Sequence, residues 1–362
     1  MELKRVIVVG ASAGGVEPLQ HLAATLPADL PAAVMVVLHL RADSFSALPA
    51  ILDRAGPLPA EHATDGQTIL PGRIYVSPPN VHIVVRPGKI ALVHGPTENG
   101  HRPAIDPLFR TAARVYRSDA IGVVLSGALD DGTAGLVEFK AAGGTAIVQS
   151  PADALYPAMP RSAMRGVEVD FVVPADDIGA LLARIVGTGD PGGGSEHPAD
   201  PRRPDPVEGA VSIAEPIVGR RDGPASGLTC PDCHGALWDT REGGVTKFRC
   251  RVGHAWTEAG LLTQQGDTLE VALWTALRVI GERAELTQRV RQRAVERGHH
   301  HAAKLFDDRI RAFDHDARIL RNVLARPELA ELEERLSVIA QLGGDEDAPS
   351  HADATGEQAP RP

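Results

Sequence analysis

The chain has 362 residues, 43% hydrophobic and 23% charged but only 4% aromatic, which is material for two or three globular domains with cores of Val, Leu, Ile and Ala. Its formal net charge is −10, with 37 Lys and Arg against 47 Asp and Glu, and no segment carries a basic excess, which excludes the electrostatic footprint of a nucleic-acid binder. Apolar runs such as Val34–Leu38 are too short to cross a bilayer, the start is no signal peptide, and three cysteines cannot all pair, so no membrane insertion is expected and the chain reads as cytoplasmic.

Residues 1–190 alternate strand-like and helix-like patterns. Val6–Val9 is a continuous apolar run ending in Gly10, suited to a strand buried on both faces. Gly15 to Leu26 follows with Leu19, Leu22, Ala23 and Leu26 at helical spacing. Val34–Leu38 reads as a second buried strand, and Ala120–Leu125, Gly132–Ala142 and Thr145–Gln149 continue as strand, helix and strand. This alternation predicts a doubly wound α/β fold: a mostly parallel sheet between two helical layers. Val81–Arg86 and Ile90–His94 flank Pro87-Gly88-Lys89 and predict an antiparallel hairpin at the sheet edge.

Pro191 to Gly227 holds seven Pro and seven Gly in 37 residues, a composition that predicts a flexible linker. Residues 228–258 contain all three cysteines and predict a small metal-held module. Residues 259–342 are helical. Leu269, Leu273, Ala276, Leu277, Ile280 and Ala284 trace one apolar face, Leu305, Ile310, Phe313, Leu320 and Leu324 another, and Gly298 parts them. These predict an antiparallel helical hairpin, with Pro327 opening a further short helix. Residues 343–362 read as a disordered acidic tail.

The first chemical motif is Gly10-Ala11-Ser12-Ala13-Gly14-Gly15, a G-x-S-x-G pattern between a strand and a helix. Glycines there permit a tight turn that exposes a serine hydroxyl beside free helix N–H groups. The same pattern also fits a nucleotide-binding loop of the short-chain dehydrogenase kind. That rival needs a Tyr with Lys four residues on, whereas Tyr75, Tyr116 and Tyr156 are followed at that distance by Pro79, Ala120 and Pro160. A serine nucleophile needs a base and an orienting acid. His39 ends the second strand, and Asp130-Asp131 follow the strand Ile121–Leu125. In open α/β sheets such groups gather outside the carboxyl ends of the strands.

Val8–Gly15, the Leu38-His39 strand end, Gly95-Pro96-Thr97-Glu98-Asn99, Arg102–Phe109 and Leu125–Gly132 together resemble the catalytic domain of CheB-type protein-glutamate methylesterases of bacterial chemotaxis. The resemblance covers about residues 1–185. It implies a serine hydrolase that removes methyl groups from glutamyl methyl esters on chemoreceptors and often deamidates receptor glutamines. By that match Ser12 is the nucleophile, His39 the base and Asp131 the orienting acid. Asp130 stands where the family more usually has Asn, and Ala13 and Ala128 replace a frequent Thr and Met, which bears on substrate fit. Full-length relatives carry a receiver domain ahead of the esterase. Ser12 lies almost at the start of this chain, so control through such a domain is not expected.

Cys230-x2-Cys233, sixteen residues, then Cys250-x3-His254 is the spacing of a structural zinc site, with four protein ligands and no open position. Leu237, Trp238 and Phe248 would supply the small hydrophobic centre of a zinc-ribbon-like module. His234 is a weaker ligand, and His299–His301 read as a solvated helix end. The C-terminal half is expected to self-associate or bind a signalling partner rather than catalyse. The rival to an esterase as a whole is a non-catalytic adaptor that works through the zinc module and helices.

Overall fold

A computed structural model describes residue 3 and residues 5–41, 46–188, 223–242 and 244–325. Seven strands form one all-parallel sheet: β1 (Arg5–Ala11), β2 (Ala32–Leu38), β3 (Ala60–His62), β4 (Arg73–Val76), β7 (Ala120–Val124), β8 (Thr145–Gln149) and β9 (Phe171–Val173). Their order is β3-β4-β2-β1-β7-β8-β9. β1 therefore lies where the winding reverses, the position at which such sheets open a crevice.

Alternation along each strand divides the core in two. Ile7, Val9, Val34, Val36, Ile121 and Val123 pack one face under α1 (Val16–Thr25), α2 (Leu48–Ala55) and α6 (Ala175–Thr188). Val6, Val8, Met35, Val37 and Val124 pack the other face under α3 (Ile105–Tyr116), α4 (Thr133–Ala141) and α5 (Ala158–Gly166). Each fully buried Val or Ile stabilises the sheet by roughly 1.5–3 kcal/mol relative to exposure.

The hairpin β5 (His82–Arg86) and β6 (Lys89–Val93) is antiparallel but does not extend the sheet. This corrects the expected edge position. It forms a separate two-stranded sheet whose Ile83, Val85 and Ile90 join the second core. The apolar face of an isolated hairpin must be covered, and here β5 packs on α3, with Val85 N–H donating to Thr111 Oγ1 at 3.0 Å.

A four-stranded antiparallel ribbon follows: β10 (Ala225–Thr229), β11 (Ala236–Glu242), β12 (Val245–Cys250) and β13 (Ala255–Thr257). β10 starts within the stretch read as linker. Residues 191–222 of that stretch, the Pro327 helix and the acidic tail lie outside the described residues. Thr257 caps α7 (Glu258–Glu296) by accepting from Gly260 N–H at 3.1 Å, and α7 pairs with α8 (His300–Leu324). Ala284, Ala303, Phe313 and Ala317 are buried, whereas Leu269 and Leu305, expected on the apolar faces, are 51% and 59% exposed. Two helices alone cannot cover both stripes. Among the described residues no helix is long and apolar enough to cross a membrane.

The ribbon packs against the α/β domain. Lys247 on β12 is fully buried and sits 2.6 Å from Asp106, 3.3 Å from Glu242 and 3.8 Å from Glu98. Arg110 bridges Glu98 at 2.6 Å and Glu242 at 3.2 Å, and Arg249 also pairs with Glu242. The three bases balance the three acids. The cluster joins the ribbon to the α/β domain, since each half alone would leave part of these charges buried without partners.

Candidate active site

Ser12, His39 and Asp131 emerge beyond the carboxyl ends of β1, β2 and β7, three neighbouring strands. Two backbone bonds set the levels of the first two: Ser12 N–H donates to Ser126 O at 3.0 Å, and His39 N–H to Ala11 O at 3.1 Å. The turn after Ser12 needs glycine at Gly14, where φ is +67° and a Cβ would press on Leu155, Ser126 and Tyr156 at 3.0 Å. Gly127 approaches from β7, and a Cβ there would lie 2.9 Å from that of Ser12.

The polar atoms form a relay. Ser12 Oγ lies 3.1 Å from His39 Nδ1, and His39 Nε2 lies 2.7 Å from Asp131 Oδ2. Asp131 therefore accepts a hydrogen bond from Nε2–H, which fixes the tautomer and leaves Nδ1 as the acceptor facing the serine hydroxyl. The same carboxylate accepts from Ile105 N–H at 2.7 Å, Gly132 N–H at 3.0 Å, Asn99 Nδ2 at 3.3 Å and Asp106 N–H at 3.4 Å. Two of these donors belong to the first turn of α3, where the helix dipole favours an anion. Burial alone would raise the Asp131 pKa. The bond and charge of His39, with the Ile105 N–H, instead hold it well below the carboxylate range.

His101 stacks on His39 with ring centroids 3.8 Å apart. Burial, and then the neighbouring His39, push the His101 pKa down to about 4, so His101 is a neutral plate against the ring. Asp130 points elsewhere. It accepts from Thr257 Oγ1 at 2.9 Å, and burial raises its pKa to about 6 against that hydrogen bond. Asn99, His101 and Thr257 were not singled out from sequence. Asn99 closes the Gly95–Asn99 motif, but an Asn in a loop carries no periodic signal, and Thr257 is 158 positions away.

Among the described residues one group of side chains could hold a metal: Cys230, Cys233, Cys250 and His254, all ligand atoms within 4.8 Å of one another. Cys233 and Cys250 Sγ lie 3.6 Å apart, and His254 Nδ1 lies 3.6 Å from Cys230 Sγ and 3.5 Å from Cys250 Sγ. Ligands about 2.3 Å from a tetrahedral ion stand roughly 3.8 Å from one another, so the donor set fits. His234 is outside this group, and His300 and His301 begin α8.

Residues 7–182 match the model of the CheB methylesterase family. A putative protein-glutamate methylesterase/protein-glutamine glutaminase of Leptospira interrogans is 37% identical over 180 residues, covering 49% of this chain and 93% of that protein. Protein-glutamate methylesterase/protein-glutamine glutaminase 5 of Anaeromyxobacter dehalogenans is 38% identical over 186 residues, or 50% of this chain and 51% of that one. The crystal structure of the Thermotoga maritima CheB methylesterase catalytic domain shares 32% identity at a TM-score of 0.48, covering 50% of this chain and 98% of that domain. The family match ends ahead of the ribbon and the helical pair.

Proposed function

The chain belongs to the CheB methylesterase family, and from that premise we propose that it hydrolyses glutamyl methyl esters on a chemoreceptor-type signalling protein, in the cytoplasm, through Ser12. The observation that carries the reading is the unbroken Ser12–His39–Asp131 relay, at 3.1 and 2.7 Å. A non-catalytic adaptor would have no use for it, and the relatives are named as enzymes.

Ser12 Oγ attacks the ester carbonyl while His39 Nδ1 takes its proton. Asp131 steadies the imidazolium without itself becoming protonated. Collapse of the tetrahedral intermediate expels methoxide, which takes the proton from Nδ1 and leaves as methanol. Water, deprotonated by the same nitrogen, then attacks the acyl-enzyme, and the second tetrahedral intermediate expels Ser12 Oγ, which takes that proton back from Nδ1 and leaves the glutamate carboxylate free. Replacing methanol by ammonia gives glutamine deamidation by the same steps. The N–H groups of Ser12 and Gly127 are already donated to Ser126 O and Tyr156 O, which leaves those of Ala13 and Ala128 as our candidates for the oxyanion hole. Leu155 and Tyr156, 73% and 47% exposed, lie against Gly14 and offer an apolar rest for a protein substrate.

The Cys3His cluster would hold zinc in a structural role: four protein ligands leave no position for substrate, and the ion would brace the ribbon. Recruitment of a partner, or self-association, draws support from α7 and α8, where Val271, Trp274 and Leu286 remain exposed. Methanol release from a methylated receptor fragment tests the reading. Release by the wild type that is absent in Ser12→Ala is expected, and equal release by both overturns it.

A further inference from the structure

The loop of residues 95–103 lies between the ribbon and the relay. Its Glu98 forms a parallel bridge with Ala255 of β13. Ala255 N–H donates to Thr97 O at 3.2 Å, Asn99 N–H to Ala255 O at 2.7 Å, and Thr257 N–H to Asn99 Oδ1 at 2.9 Å. That last bond settles which way the Asn99 amide points. With its oxygen engaged by Thr257, its nitrogen faces Asp131 Oδ1 at 3.3 Å. Asn99 is buried and its backbone is left-handed, at φ +51°. Such a loop conformation persists only where surrounding contacts hold it.

The docking charges are interleaved with the same contacts. Glu98, paired with Arg110, precedes Asn99, and Asp106, paired with Lys247, follows the Ile105 N–H that Asp131 accepts. Thr257 also reaches Asp130, donating its hydroxyl to Oδ1 at 2.9 Å. One ribbon residue thus meets both the neighbour of the triad acid and the amide that anchors that acid.

On the reading of Ser12, His39 and Asp131 as the catalytic triad, we propose that the ribbon is a positioning element of the esterase: Thr257 and the Lys247 ion cluster hold Asn99 on Asp131. Undocking the ribbon frees the amide to turn toward water and loosens the carboxylate that fixes the His39 tautomer. Among the described residues the hydrogen bonds of Ser12 Oγ and of the His39 ring run to each other and to Asp131, none of them to the ribbon, so the effect falls on turnover and not on substrate binding.

The test measures kcat and KM on a small glutamyl γ-methyl ester with the full chain, for wild type, Asn99→Ala, Lys247→Met and the double variant. A lost hydrogen bond to a buried charge is expected to lower kcat about tenfold or more in each single variant, with KM within about twofold. The double variant should be no slower than the slower single, because both act through one contact. Losses that multiply, or a Lys247→Met enzyme as fast as or faster than wild type, overturn the proposal. Should Lys247→Met fail to fold, Glu242→Gln decides, since Glu242 lies on the ribbon and pairs with Lys247, Arg110 and Arg249: it should lower kcat several-fold with KM within about twofold, and a rate equal to wild type overturns the proposal. An inactive wild type would overturn the esterase reading itself, whereas an active wild type with indifferent variants overturns this inference alone.

Discussion

Asp130 and Asp131 are neighbours in the chain, yet their carboxylates serve different partners: Asp131 Oδ2 faces His39 Nε2 at 2.7 Å, and Asp130 Oδ1 accepts the Thr257 hydroxyl at 2.9 Å. Only one of them can orient the base. Asp131→Asn is expected to lower kcat by about 10³–10⁴, because an amide there permits the wrong imidazole tautomer. Asp130→Asn retains an acceptor for Thr257 and should stay within about tenfold of wild type. Steady-state kinetics on a small methyl ester separates the two, and the reverse ranking would reassign the acid.

The same neighbourhood gives opposite pH dependences of stability. His101 has a pKa near 4 in the folded chain against about 6.5 unfolded. Between those values the unfolded chain binds a proton that the folded chain refuses, so stability is lost as pH falls. Asp130 is held up near 6 against about 3.9 unfolded, so its contribution is present below about pH 4 and is lost as pH rises to 6. Denaturant unfolding at pH 7 and 4.5 should show His101→Gln losing about 2 kcal/mol less than wild type on acidification, and Asp130→Asn losing more by a similar amount. Identical changes in all three proteins would contradict the assignment.

Gly10 approaches α3 without a side chain, and a Cβ there would lie 2.4 Å from Ile105 Cγ2. Ile105 N–H is one of the two shortest bonds to Asp131. Gly10→Ala should therefore destabilise the chain by about 1–3 kcal/mol and also lower kcat. Ile105→Ala in the same chain opens the space and should recover part of the stability, as read by thermal unfolding.

All three tryptophans, Trp238, Trp256 and Trp274, lie in the ribbon and α7, so their fluorescence reports on that half alone. Purified protein should hold one zinc per chain, and less than about a tenth of an equivalent would contradict the site. Cys250→Ser should lower the metal content, and chelation should shift tryptophan emission before far-UV helicity is lost.

The parallel sheet was legible because β1, β2 and β7 are buried on both faces and appear as unbroken apolar runs. The relay was legible because Ser12, His39 and an Asp each follow such a run. The hairpin's pairing was readable from Pro87-Gly88, but its place was not, since alternation in Ile83 and Val85 marks a covered face without saying what covers it. The cysteine spacing marked four side chains that could hold a metal, but nothing local marks Lys247 as buried. Its partner Asp106 is 141 positions away, and a docked ion pair leaves no periodic trace. Asn99 and Thr257 escaped notice for the same reason.

The central claim is that Ser12 is the nucleophile, and covalent trapping tests it most directly. The full chain is incubated with an alkyl phosphonofluoridate, its intact mass is measured and the modified peptide is sequenced. The account predicts one adduct per chain, on Ser12, absent from Ser12→Ala and formed far more slowly by His39→Ala, with ester hydrolysis lost in step. An adduct on another residue, or a Ser12→Ala chain that still releases methanol at the wild-type rate, would contradict it.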